Sequence, residues 1–476
     1  MISPRLHLIA NRIAFWVLAV AIAGAPLPYG SRDPAVVAFW CGLLGIGLIA
    51  APLRNLRIIH ALVLGGIGAV VAGYAIVLHE QLSPTPWIAT FHPVWAEAEK
   101  LLNHPVQPSV SVVRNEPFFA LGAPLANILV LVLGLLVGID RADARRLLQI
   151  AAWAGVVYAI YGLYGLIFDP HTILGREKTA YIGNLTGTFI NRNTAATYFG
   201  SVSILWFLFL LEEVRKRLPT GPIPSAELLH QVTEDRDHQR TLLVPFSMLF
   251  LCLVATFLTV SRAGSTLTVL LLAVTFVIFF RRRLEGRSTK VIAVAASAAV
   301  ALVVLQLLGG SVGSRFEVHG LSDAGRIATW QSTLRIIADN PWFGTGLGTF
   351  AWAYPAYRSA DVSMWGVWAM AHSTPLELAS EVGVPLASLV GLAWLGALSL
   401  LLWGALHRRR DRIIPLAGFG VALLALLHST IDFSLQISGY AIVAFGIVGI
   451  GLGQAMRDPN GGHRAQGKGS GAEAGR

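Results

Sequence analysis

Long apolar stretches, separated by short polar segments rich in arginine, recur along the whole chain. A membrane-spanning helix needs about 20 mostly apolar residues. Stretches near 12–29, 35–51, 58–78, 118–138, 147–168, 192–211, 241–260, 263–280, 291–308, 383–406, 413–430 and 435–455 meet that need. The pattern predicts an all-α, polytopic membrane protein of about 12 transmembrane helices. Residues 241–280 and 413–455 each read as two spans joined by a tight turn. The opening "MISPRLHLIANRIAFWVLAVAIAGA" has the basic head and apolar core of a signal peptide, but the spans that follow make it a retained first helix.

Composition agrees. The 476 residues are 55% hydrophobic and 13% charged, about half the charge of a soluble domain. Cys41 and Cys252 both lie in apolar runs, which argues against a disulfide framework or a metal site. The net charge of +10 says less than its placement, because loops rich in Lys and Arg stay on the cytoplasmic side. With both termini cytoplasmic, 25 of the 36 Lys and Arg fall inside and 11 outside, and every short inside loop is basic. Two long segments then face outward, 79–117 and 309–382, the second carrying amphipathic helices. The chain divides into N-terminal membrane helices (1–180), a second membrane region (181–456) and a Gly-rich, disordered cytoplasmic tail (457–476). The polar segment 212–240 reads as a cytoplasmic linker.

That orientation isolates the unusual residues at the outer ends of the helices. In "GTFINRNTAATYFG", Arg192 opens the sixth span between Asn191 and Asn193. Positive-inside bias and the positive end of the helix dipole both disfavour a cation there. Together a helix N-terminus and a guanidinium make an anion site, with an asparagine to cap the helix or hold the arginine. The alternative is an arginine reaching for lipid headgroups. "TVSRAGS" puts Arg262 at a second outward turn, with Ser261 as cap. "LSDAGRIATWQSTLRIIADNPWFGTGLGTF" predicts a helix capped by Ser322 or Asp323. Ile327, Trp330, Leu334 and Ile337 would form its apolar face, Arg326 lies in its first turn, and Pro341 stops it. The run Gly344, Gly346, Gly348 lacks the preceding strand of a dinucleotide site and reads as a turn, or as a loop near phosphate. His372, before the helix of "HSTPLELASEVG", is either structural or a base suited to neutral pH. His428 and Asp432 stand four apart, a spacing that lets them bond within one helical turn in support of the site. The span interiors hold almost no charge, which places the site at the outer leaflet.

"GTFINRN", "SRAGS", "GRIATWQSTLRIIADNPWFGTGLGTF" and "AHSTPLELASEVG" resemble the successive motifs of the O-antigen ligase and polymerase superfamily of bacterial GT-C type glycosyltransferases. The likeness covers residues 180–400, with "HSTIDFSLQ" beyond. It implies transfer of a glycan from undecaprenyl diphosphate to an acceptor hydroxyl at the periplasmic face of the inner membrane. The acceptor would be lipid A core, another glycan or a protein. By the same resemblance Arg192 and Arg262 hold the diphosphate and His372 activates the acceptor, with Arg326 a further candidate for the diphosphate. Ser373 departs from the Asn or Asp that often follows the family's histidine.

The chemistry suits these residue types. Arginine matches phosphate oxygens with a planar fork and keeps its charge. A diphosphate leaves readily, so the chief need is a base for the incoming hydroxyl. No carboxylate cluster suits a divalent ion, so neither metal nor cofactor is expected, and no nucleic acid partner. An exopolysaccharide polymerase is an alternative within the family. From another class, a lipid-linked glycan flippase or transporter fits twelve spans but wants polar, broken helices at the midplane.

Overall fold

The computed structural model describes residues 4–53, 56–217, 236–282, 324–362, 367–408 and 410–456. The span expected at 291–308, the tail 457–476, most of the 212–240 linker and the cap candidates Ser322 and Asp323 lie outside the described residues. Among the described residues, eight helices are long and apolar enough to cross a membrane, and three shorter apolar ones accompany them.

In chain order the helices are α1 (Pro4–Gly24), α2 (Pro34–Ile49), α3 (Ile58–Leu82), α4 (Val94–Leu102), α5 (Glu116–Ala120), α6 (Gly122–Gly138) and α7 (Arg141–Phe168). A small hairpin of β1 (Thr172–Ile173) and β2 (Arg176–Glu177) precedes α8 (Arg192–Arg217), α9 (Arg236–Leu258) and α10 (Arg262–Phe280). Then come α11 (Ala324–Asp339), α12 (Phe350–Ala353), α13 (Thr374–Val382), α14 (Val384–His407), α15 (Ile413–Ser429) and α16 (Ser438–Ala455). Short polar caps start several of them: Asp33 accepts from Ala35 N at 2.8 Å, and Asp140 from Ala142 N at 2.8 Å and Asp143 N at 3.0 Å. The first helix is packed into the bundle, with Leu18 and Ile22 buried.

Helices α8 and α16 form the centre. Of their apolar windows 83% and 94% are buried, against 6% for α3 and 17% for α14, which leaves those two at the periphery. Small residues permit the central contacts, as is usual where lipid removes the hydrophobic drive between helices. A Cβ on Gly134 would lie 2.8 Å from the Gly446 carbonyl, and one on Gly138 would lie 2.7 Å from Ile450 Cα. Tyr440 and Ser201, both buried, join α16 to α8 with a 3.1 Å hydrogen bond.

At one end of the bundle the loops are stapled together by buried polar groups. Gln81, at the end of α3, donates to the carbonyls of Phe343 (2.6 Å) and Glu381 (2.8 Å) and accepts from Leu347 N (3.0 Å). Glu80 accepts from the backbone of Trp87, Ile88 and Ala89 at 2.8–3.1 Å. Helix α11 turns a face of mostly small residues inward. It buries Ala328, Thr329, Ser332, Thr333 and Ile336, and leaves Ile327 and Leu334 exposed. Its threonine hydroxyls bond back to carbonyls of their own helix at 2.8 Å, so they pack as small satisfied groups.

Candidate functional site

Two helix N-termini lie side by side at the loop-stapled end. Asn191 Oδ1 accepts from Asn193 N at 2.6 Å and Thr194 N at 3.2 Å, which caps α8. Ser261 Oγ caps α10 through Gly264 N at 3.4 Å. The two helices run parallel and in step: a Cβ on Gly264 would meet Ala196 at 2.5 Å, and one on Gly200 would collide with Thr268. Arg192 and Arg262 therefore open adjacent helices at the same level. The Arg192 guanidinium lies over the Tyr181 ring, 5.3 Å from its centroid. Val260, two residues before Arg262, holds a left-handed φ of +56°, a strained conformation for a β-branched side chain.

His372 stands at the start of α13, also left-handed at φ +54°. Its neighbours hold it there. Ala371 N donates to Glu377 Oε2 at 2.6 Å, and Ser373, buried, is the N-cap residue of α13 without using its hydroxyl for the cap. The imidazole makes edge contacts with Trp368 and Phe433, at 5.8 Å and 5.1 Å between centroids. Nδ1 lies 3.6 Å from Asp432 Oδ1, an ion-pair distance slightly long for a hydrogen bond. That arrangement leaves Nε2 on the opposite edge of the ring.

Asp432 comes from the loop between α15 and α16. Oδ1 accepts from Phe433 N at 2.8 Å, and the Asp432 carbonyl accepts from Thr374 Oγ1 at 3.2 Å. Burial alone would raise its pKa, but His372, the charge of His428 and the Phe433 N–H outweigh it and hold the carboxyl below its ordinary value. Arg326 donates to the Ile431 carbonyl at 3.2 Å and so braces the same loop from α11. The expected pairing of His428 with Asp432 takes a different form. Helix α15 ends at Ser429, His428 Nδ1 bonds Ser434 Oγ at 3.0 Å, and Asp432 turns to His372 instead.

A cavity of about 380 Å³ joins these parts, with His372, Asn191, Trp368, Phe433, Tyr181 and Arg32 in its wall. Arg192 reaches its edge through Tyr181; Arg326 and Asp432 stand behind His372 and not in the wall. The residue that sequence reasoning passed over is Arg32, from the turn between α1 and α2. The signal was present: Arg32 falls on the side poor in arginine, the anomaly that drew attention to Arg192 and Arg262. The aromatic walls carried no such mark.

Glu377 and Glu381 were noticed only as part of α13, yet both are buried. Glu381 Oε1 accepts from Phe350 N at 3.0 Å, so a carboxyl of the chain itself takes up this backbone N–H just past the glycine run. Thr345 N and Gly346 N bond the carbonyls of Ser380 and Glu381 at 2.9 Å and 3.0 Å. The glycines serve close packing: Gly344 (φ +66°) lies against the Glu381 backbone, Gly346 (φ +114°) against Ser111 and Gly348 (φ +78°) against Ala120. Burial first, and then the neighbouring Glu381, push Glu377 up to about 8. Among the described residues no group of three His, Cys, Asp or Glu side chains could hold a metal ion.

Compared with known protein families, residues 247–391 match the model described as O-antigen ligase. The match takes in Ser261, Arg262, Arg326 and His372, while Asn191, Arg192, His428 and Asp432 lie beyond it. No curated protein matches the chain.

Proposed function

We propose, from the match of residues 247–391 to the O-antigen ligase family and the apolar helices around them, that this chain transfers a glycan from undecaprenyl diphosphate to an acceptor hydroxyl at the periplasmic face of the inner membrane, in surface polysaccharide biosynthesis. The observation that carries the reading is the meeting of His372 with the capped start of α8 in one cavity, beside two parallel helix N-termini that each open on an arginine.

The step divides the work between two sets of residues. The acceptor oxygen attacks the anomeric carbon and its proton passes to His372 Nε2. The bond from the anomeric carbon to the diphosphate oxygen breaks, and the electron pair leaves with the diphosphate. Arg192 and Arg262, with the N–H groups of α8 and α10, meet the charge that builds there. Asp432 orients the imidazole through Nδ1 and stabilises the imidazolium, as a carboxylate does behind any histidine base. Arg326 supports the site by fixing the Asp432 loop through the Ile431 carbonyl.

The test is transfer of label from an undecaprenyl diphosphate oligosaccharide to lipid A core, to a second glycan or to a protein, by purified protein in liposomes with EDTA present. Transfer by wild type and not by His372→Ala supports the reading, and the acceptor that works separates ligase from polymerase. No transfer, with movement of the lipid-linked glycan across the bilayer, overturns it in favour of a flippase.

A further inference from the structure

The turn from α1 to α2 lies far from the ligase-family region in sequence, yet it forms one wall of the His372 cavity. It is built rigidly. Ser31 Oγ donates to the Ala25 carbonyl at 2.5 Å and accepts from Trp40 Nε1 at 2.9 Å, while Gly439 N bonds the Gly30 carbonyl at 2.8 Å. Tyr29 donates to the Leu174 carbonyl at 3.1 Å, with the Arg176 guanidinium 4.5 Å from its ring centroid. Tyr29, Gly30 and Ser31 all hold left-handed φ angles, so the turn has one defined shape and presents Arg32 at a fixed place.

Arg32 has no ion pair among the described residues. Its neighbour Asp33 is engaged at the start of α2, accepting from Ala35 N. Arg32 is exposed where it lines the cavity, so its charge is open to an anion that comes with a ligand. The same cavity is lined by the aromatic rings of Tyr181, Trp368 and Phe433. A pyranose ring offers apolar C–H faces to such walls and polar substituents to its edges. The volume of about 380 Å³ falls in the range of small-molecule pockets, about 300–1,000 Å³.

We infer that this cavity is a sugar subsite and that Arg32 pairs with the carboxylate of an acidic sugar in the glycan. The inference rests on the glycosyltransferase reading above and adds a substrate class to it. A carboxylate fits better than the carrier diphosphate, because the diphosphate has its own site at the starts of α8 and α10. Arg32 belongs to a different element, the turn between α1 and α2. A guanidinium takes a carboxylate through two parallel N–H···O bonds, which supplies both affinity and orientation.

Full-length protein in nanodiscs would be titrated, by saturation-transfer NMR, with three probes. These are a disaccharide ending in glucuronic acid, its neutral glucose counterpart and inorganic pyrophosphate. The acidic disaccharide is expected to bind ~10- to 100-fold more tightly than the neutral one. Arg32→Ala should erase that difference with pyrophosphate binding as in wild type, and Arg32→Lys should retain part of it. Equal binding of the two disaccharides by wild type overturns the inference. So does a loss of pyrophosphate binding in Arg32→Ala, which would assign the residue to the diphosphate. Pyrophosphate binding that depends on Arg192 is the separate check on the donor reading, and its failure would leave the disaccharide comparison intact.

Discussion

The two ends of the bundle use arginine differently. At the end where α7 begins and α14 finishes, the cations are spent on the protein. Arg141 pairs with Asp411 at 2.5 Å, Arg145 pairs with Glu212, and Arg408 and Arg412 donate to the carbonyls of Gln454 and Phe279. At the other end Arg192 and Arg262 open capped helices and Arg32 stands in a cavity wall. The first arrangement closes helix ends and anchors loops. In the second, Arg32 lines a cavity that a ligand can fill, and the Arg192 guanidinium lies over Tyr181 beside it. Count of charge alone does not tell these uses apart; the company each arginine keeps does.

Substitutions at the two ends should break this contrast or sharpen it. The largest effect is expected for His372→Ala, a fall of about 10²–10⁴ in transfer rate with the protein still monodisperse in detergent. A variant that transfers at the wild-type rate would remove the base. Next, Arg192→Ala and Arg262→Ala should each lower the rate by about 10²–10³. Lysine should restore only part, because it lacks the fork. Full activity in both alanine variants would move the diphosphate elsewhere.

Glu377 offers a sharper test, because its effect on stability has a sign. Its carboxyl is raised from an ordinary 4.5 to about 8, by burial and then by Glu381. Between those values the folded chain binds more protons than the unfolded one, so stability should fall as pH rises from about 5 to 8. Thermal midpoints measured across that range should show the slope, and Glu377→Gln should flatten it. A slope unchanged in Glu377→Gln would assign the dependence to another group. Glu377→Ala should cost about 1–3 kcal/mol, since it strands the Ala371 N–H beside His372. The smallest effect belongs to the opposite end. Arg146→Ala, at a largely exposed pair with Asp143 3.6 Å away, should cost no more than about 1 kcal/mol and leave the transfer rate unchanged. A rate loss there on the scale of Arg192→Ala would dissolve the distinction between the two ends.

Much of this was legible in one dimension. Each described span had been marked by an apolar run, since hydrocarbon accepts only helices that satisfy their own backbone. Arg192, Arg262 and His372 stood out because a charged or titratable group beside an apolar run costs energy that function must justify. Spacing placed an apolar row on α11 without fixing which side it faces. Ile327 and Leu334 of that row stay exposed, and the tight inner contact goes to Ala328, Thr329, Thr333 and Ile336. His428 and Asp432 are four apart, but a helix end at Ser429 falls between them, and local spacing carries no account of that.

Sequence alone determined the class of the molecule, its apolar helices and the residues whose charge was out of place. These follow from transfer energies, which each segment carries by itself. Tertiary structure decided which of those residues meet. The parallel packing of α8 on α10 through Gly200 and Gly264 set Arg192 level with Arg262. The loop after α15 brought Asp432 to within 3.6 Å of His372. A turn some 340 residues earlier in the chain placed Arg32 in the same cavity wall as His372. Such meetings depend on how close small residues let helices approach and on which buried groups staple the loops. Both are properties of pairs of segments, and no single segment records them.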